Sequence, residues 1–470
     1  MAPKIYRSYL LAILLVIFAF NYVDRFALGL VLENIKGDLH LSDTQLGLMS
    51  GIAFALFYSL MGIPIARWAD RGNRVTIIAL TTAVWSLMVA LCGRAMNFSQ
   101  LLLIRIGVGV GEAGCIPPAH SLIADYFSRA ERPRAVATYM QGPTLSVVIG
   151  YLLAGWLNDY YGWRMMFVLL SLPGVVMAIL AYFTLREPRV TTLLAARRAA
   201  GDPGSGTTRA SPMHGSRAEQ PSLKELYVAL GRNATFRHLL IAYSIVSFFN
   251  YGIGNWQPTF FVRSFGLTSG EIGRWFAVVY GLSTFLGVYL GGEWASRRAA
   301  LDEPRQFRIM AAANVVFNVA LWSLIYLSRN RYVAFALMGL SNFGSAAIYG
   351  PLFAAFQTLV QPRMRAMSIA IVYLFSNLIG MGLGPLAVGA MSDGLRPLFG
   401  DESLRYALLG VCPGYLLVSW HLWKASKTVK RDLDVIVGSE AIADESCMGG
   451  DEPIGQRTTL NLKVVTNEQV

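Results

Sequence analysis

Four ionisable residues stand inside otherwise apolar runs of this 470-residue chain: Asp24 and Arg25 in the first run, Arg105 and Glu112 in a later one. A charge inside hydrocarbon is costly and by default marks a substrate or ion pathway. The two runs read as membrane helices of opposite direction, which sets Asp24, Arg25 and Arg105 at similar depths in the outward half. An ion pair between the two helices is geometrically plausible. Glu112 follows Arg105 by two helical turns on roughly the same face, close to the midplane. A carboxylate that is desolvated in one conformation and meets a cation in another can take up and release a proton. Asp24 and Glu112 are therefore candidates for proton coupling, and Arg25 and Arg105 for their partners or for anchors of a substrate anion. A permanent ion pair is the alternative.

Around these charges, Asn21, Phe54 and Tyr58 in the first half of the chain are candidate substrate contacts. In the second half the candidates are Asn250, Trp256 and Tyr349, which are neutral. Ions on one side with hydrogen bonds and aromatic surface on the other would suit an amphipathic substrate with one charged end. For the aromatic residues, packing in the core or against lipid is the alternative.

The elements that must position these residues follow from composition. With 54% hydrophobic and only 14% charged residues, the chain lacks the charged surface of a soluble domain of its length. A window of about 20 apolar residues selects twelve spans: 8–31, 43–66, 75–95, 99–126, 135–157, 164–185, 237–262, 271–293, 308–328, 332–360, 366–391 and 404–424. The expected fold is an all-α membrane protein of two pseudo-symmetric six-helix bundles, 1–186 and 237–425. A hydrophilic linker, 187–236, joins them, and a solvated tail, 426–470, follows. Within the linker, Ser222 and Glu225 have the spacing of a capping box and could open a short surface helix.

A repeat supports the two halves. Leu41-Ser42-Asp43-Thr44-Gln45-Leu46-Gly47 returns as Leu267-Thr268-Ser269-Gly270-Glu271-Ile272-Gly273, each with capping-box spacing, and Phe20-Asn21-Tyr22 returns as Phe249-Asn250-Tyr251. Duplicated helical halves are the architecture of transporters that rock two bundles around a central site. Glycines cluster at 142, 150 and 155 and at 380, 384 and 389, accompanied by Pro143 and Pro385, as closely packed helices in lipid require.

The net charge of +12 suggests nucleic acid only in a soluble protein. Here Lys and Arg crowd onto the loops of one side. Both termini are therefore expected in the cytoplasm and no nucleic-acid partner is expected. One of those loops carries Asp70, Arg71 and Arg74, and another carries Glu131 and Arg134. These five are candidates for a cytoplasmic gate, salt bridges that break when that mouth opens; topology signalling alone is the alternative. The four cysteines form no CxxC pair, and neither a metal-ligand cluster, a nucleotide-binding loop nor a catalytic triad is evident, so an enzyme is not expected.

Asp70-Arg71-Gly72-x-Arg74 resembles the loop signature between helices two and three of the major facilitator superfamily, with Ala66 in place of the usual glycine. Arg105-x-x-x-Gly109 resembles its helix-four signature. Within the superfamily, Asn21-Tyr22-Val23-Asp24-Arg25-Phe26 and the stretch Arg105 to Ala113, followed by Pro118 and Asp125-Tyr126-Phe127, look like the spinster family. The resemblance implies proton-linked transport of lipids, with protons as the coupling ion and no other cofactor. Compact size suggests a bacterial homologue in the inner (plasma) membrane, working as a monomer among membrane lipids. The alternatives are a carrier of a small organic anion such as a carboxylate, and a non-transporting receptor or scaffold.

Overall fold

The computed structural model describes residues 3–128, 130–188, 225, 230–299, 302–361 and 364–448, and no strand occurs among them. The first half contains α1 (Lys4–Leu39), α2 (Asp43–Arg71), α3 (Arg74–Cys92), α4 (Phe98–Tyr126), α5 (132–161) and α6 (163–184). The second half contains α7 (Ala234–Phe265), α8 (Ser269–Trp294), α9 (Glu303–Leu327), α10 (Arg331–Thr358), α11 (365–399) and α12 (403–448). Nine helical stretches among the described residues are long and apolar enough to cross a membrane. Two of them, 132–184 and 367–436, each contain two spans joined by a tight turn. Gly162, at φ 74°, and Gly400, at φ 57°, make those turns in a backbone region that a side chain disfavours. The span α7 falls outside the nine; Asn250, Asn255 and Gln257 dilute its apolar face.

The ends of several helices extend beyond the twelve expected spans. The helix α1 reaches Leu39, and α12 continues to Met448. Residues 426–436, expected to begin a solvated tail, are thus part of α12 and pack against α7. Val429 is buried, and Asp432 accepts hydrogen bonds from the backbone N–H and hydroxyl of Thr235 at 2.7 Å each. The expected surface helix at 222–225 and most of the expected linker lie outside the described residues.

Among the described residues, the helix pairs that join the halves include α1 with α7, α2 with α11, and α5 with α8. The repeated glycines explain two of these seams. A Cβ on Gly47 would lie 2.5 Å from the Pro385 carbonyl oxygen of α11, and one on Gly273 would lie 2.3 Å from the Tyr151 carbonyl oxygen of α5. Backbone-to-backbone packing of this kind holds helices together where no hydrophobic force drives association. Both seams lie toward the face where α1 ends, called the far face below; the face where α1 begins is the basic face. Toward the basic face, α2 leaves Leu60, Ile63 and Trp68 exposed, whereas its far-face part buries Met49 and Phe54.

The second half is locked internally by a buried amide chain. Asn318 Nδ2 donates to Asn314 Oδ1 at 3.0 Å, and Asn318 Oδ1 accepts from Trp322 Nε1 at 3.2 Å and Ser345 Oγ at 2.5 Å. Asn314 in turn donates to the Tyr415 carbonyl at 2.9 Å and to Ser419 Oγ at 2.8 Å. The chain accompanies a widened, π-helical turn at Val315–Ala320, which carries Asn318 and whose Phe317 carbonyl accepts from Ser341 Oγ at 2.5 Å. Asn318→Ala strands several buried polar groups at about 1–3 kcal/mol each. The expected result is a clearly lower thermal midpoint in detergent; an unchanged midpoint would show that the chain braces nothing.

Candidate functional site

The site rests on a break in α4. Pro117 and Pro118 lack N–H groups and cannot bond to the carbonyls of Ala113 and Gly114, so the helix stops at Glu112 and restarts at Ile116. Glu112 is thereby held at the end of a helical segment, fully buried and facing α1. Arg25 Nε donates to its Oε2 at 3.0 Å, and Arg25 Nη2 contacts the same oxygen. Two turns earlier, Arg105 Nη1 donates to Asp24 Oδ2 at 2.7 Å. The four charged candidates therefore come together as two pairs between α1 and α4. Glu112 takes Arg25 as its partner, because Asp24 holds Arg105.

Asp24, Arg105 and Glu112 are each no more than 2% exposed, whereas the Arg25 side chain retains 15%. Arg25 is thus the member that reaches open space. Its guanidinium carbon lies 4.1 Å from the Tyr22 ring centre, 4.7 Å from Phe54 and 5.0 Å from Tyr58. Phe54 also receives Arg105, at 5.3 Å. The two cations thus share one aromatic ring, and each gains cation–π attraction from it. Arg25 Nη1 also approaches Met381 Sδ of α11 at 3.7 Å, a contact between the halves.

One oxygen of each carboxylate, Asp24 Oδ1 and Glu112 Oε1, is buried without a hydrogen-bond partner, as are Asn21 Oδ1 and Arg105 Nε. Asn21 spends its amide N–H on Cys115 Sγ at 3.6 Å. Unsatisfied polar atoms are rare in a settled core, and a group of them marks strain, a proton or unfilled ligand positions.

The neutral candidates divide. Asn250 donates to Tyr349 Oη at 2.8 Å and accepts from Tyr415 Oη at 2.5 Å, so a tyrosine of α12 joins the pair expected from sequence. A cavity of about 20 Å³ adjoins Asn250 and Tyr349, room for a single water. Trp256 lies apart from this group. It is fully buried and donates to the Pro385 carbonyl at 2.8 Å, a packing contact between α7 and α11.

The basic face also differs from expectation. Arg74 is fully buried and ties the first half together: its backbone N–H and Nε donate to Glu187 at 2.7 and 3.1 Å, and its Nη2 meets Asp125 at 2.7 Å. Glu131 pairs with Arg7 at 2.7 Å. Hydrogen bonds from Ser128 and Arg7 hold its carboxyl below the ordinary range, so this tie persists at neutral pH and is lost only as pH falls through the lowered value. Asp70, Arg71 and Arg134 are exposed. Arg7, Asp125 and Glu187 were not among the candidates; only the burial of Arg74 identifies them. The closure present here lies instead at the far face, where Arg263 of α7 meets Asp43 and Glu33 of the first half at 2.8 and 2.7 Å.

Comparison with known proteins bears on the family and the fold. The family model described as Major Facilitator Superfamily matches residues 14–392. An MFS-type efflux pump of Mycolicibacterium smegmatis is 31% identical over 88% of this chain and 91% of its own length. A probable L-galactonate transporter of Escherichia coli is 26% identical over 83% of this chain and 85% of its own. The crystal structure of a bacterial homologue of the human lysosomal transporter spinster, inward-facing and unoccupied, superposes with a TM-score of 0.76 at 30% identity, covering 92% of this chain and 99% of that one.

The paired geometry makes a thermodynamic prediction. Arg25→Met leaves Glu112 buried beside no cation of its own, and breaking a buried pair typically costs about 3–5 kcal/mol. Pairing it with Glu112→Gln removes both charges. The double variant is expected to recover most of the thermal stability that Arg25→Met loses. A double variant no more stable than Arg25→Met would mean that the two side chains are not energetically coupled.

Proposed function

The chain belongs to the Major Facilitator Superfamily, and on that premise we propose that it is a proton-coupled secondary transporter of an amphipathic, anionic, lipid-like substrate. It is an integral multi-pass membrane transporter and not an enzyme. The units that rock are residues 1–186 and 237–425, joined by 187–236; the membrane is a bacterial plasma membrane, and the basic face and both termini are on its cytoplasmic side. The protein works as a monomer with protons as the only coupling species.

The observation that carries this reading is the shared position of Arg25. Its guanidinium is the exposed end of a buried pair and already lies in a cage of Tyr22, Phe54 and Tyr58. With Glu112 ionised, Arg25 is neutralised in place. A proton on Glu112 removes that counter-charge, and a substrate anion then supplies it. Asp24 and Arg105 stay balanced beside them, with Asp24 as a second site for a proton. The Tyr58 ring takes an apolar part of the substrate, Phe54 holds the two guanidiniums in place, and the unpartnered Asn21 Oδ1 and, opposite, Asn250 with Tyr349 offer it neutral hydrogen bonds. Desolvation makes the exchange exclusive, because an unbalanced charge is unfavourable in a low-dielectric site.

A second reading is a carrier of a small organic anion. It is supported by the similarity to the probable L-galactonate transporter, and it would use the same Arg25 without the aromatic cage. Proteoliposomes offered radiolabelled lysophospholipid or L-galactonate separate the two. Glu112→Gln is expected to abolish accumulation driven by a pH gradient while leaving exchange at equal pH. Wild-type accumulation in Glu112→Gln would rule out proton coupling through this residue.

A further inference from the structure

The first turns of α2 and α8 raise an accounting question, because the leading N–H groups of any helix lack partners inside it. Each helix begins with a capping box. Ser42 Oγ accepts from Gln45 N–H at 3.1 Å while Gln45 accepts from Ser42 N–H at 2.9 Å. Thr268 and Glu271 do the same at 3.2 and 3.1 Å. The amides just inside the cap remain. Their acceptors come from the opposite half of the molecule. In α2, the N–H groups of Asp43 and Thr44 donate to Asp393 of α11 at 3.1 and 2.7 Å, and the Thr44 hydroxyl donates at 2.6 Å. In α8, the N–H of Gly270 and the hydroxyl of Thr268 both donate to Asp159 of α5 at 3.0 Å.

The two arrangements are copies. Gly155-x-x-Asn158-Asp159 ends α5 as Gly389-x-x-Ser392-Asp393 stands near the end of α11. The residue before each aspartate also bonds across the seam, Ser392 Oγ to Asp43 Oδ2 at 2.7 Å and Asn158 Nδ2 to Ser269 Oγ at 2.9 Å. Asp43 and Ser269 hold the same place in the repeated segment. Each half thus supplies a carboxylate that completes the cap of the other half's helix.

We propose that Asp159 and Asp393 are a matched pair of detachable helix caps that close the far face, and that opening that face strips both caps at once. A capping carboxylate suits a reversible contact. Apart, the aspartate and the helix amides are solvated by water; together, they gain a charge-assisted bond to the positive end of a helix dipole. Two such bonds related by symmetry close together when the halves rock as rigid bodies. The inference does not depend on what is carried or on the coupling ion.

Spin-label distances in proteoliposomes without added ligand test it. Label pairs Gly37→Cys/Leu398→Cys and Tyr160→Cys/Arg274→Cys each join one half to the other at exposed positions near the far face. Loss of one cap is expected to raise the population with an open far face about fivefold in Asp159→Ala and again in Asp393→Ala, and the double variant should combine the two. Asp159→Asn should open less than Asp159→Ala, because a single oxygen of Asp159 accepts both bonds and asparagine keeps one acceptor, whereas Asp393→Asn should open nearly as far as Asp393→Ala, because both oxygens of Asp393 accept. Unchanged distances in the double Ala variant would overturn the proposal, as would an Asp159→Asn variant that opens as far as Asp159→Ala. Should the double variant not fold, the single Ala variants decide by the same criterion.

Discussion

Charge balance in a low-dielectric interior is the constraint on which this molecule is built. Two arginines and two carboxylates sit between α1 and α4, and none of the four is stable there without its partner. The balance fixes the rotation of both helices, because Asp24 and Arg25 must face Arg105 and Glu112 together. The prolines at 117 and 118 break α4 just beyond Glu112 and so leave that carboxylate at a helix end. A site held by mutual neutralisation responds to any change in charge count. Protonation of one carboxylate or arrival of one anion is such a change.

The same economy of charge operates at the two faces by different means. On the basic face Arg74 and Arg7 tie parts of the first half to one another. On the far face the ties run between halves: Arg263 to Asp43 and Glu33, and two aspartates onto helix starts. Contacts of the second kind must break when the far face opens, and they are polar groups that water can also satisfy. The glycine seams beneath them bring backbone against backbone, Gly47 to Pro385 and Gly273 to Tyr151. The helix bundles themselves carry the internally bonded networks, such as the Asn314–Asn318 chain, that need not change.

Much of the fold could be read from the order of residues. Helices in lipid announce themselves by apolar length, and the Leu41–Gly47 repeat displayed both halves and their capping boxes. The four central charges were visible because nothing else charged stands near them in their spans. The pairing was not visible: which arginine meets Glu112 depends on the rotation of two helices far apart in sequence. The cross-half caps were hidden for the same reason, since Asp393 and Thr44 are 349 residues apart. Arg74 looked like one more loop charge because burial, which distinguishes it from Arg71, has no local signal. Trp256 looked like a cavity wall because an indole N–H that bonds a backbone carbonyl reads, in sequence, the same as one that waits for a ligand.

The central claim is that Glu112 exchanges a proton for its bond to Arg25, and infrared difference spectroscopy across a pH titration of the purified protein addresses it directly. A buried carboxyl stretching band should appear on acidification of the wild type. The part of it due to Glu112 should be absent in Glu112→Gln and displaced to a different pH in Arg25→Met. The same titrating band persisting unchanged in Glu112→Gln would contradict the account.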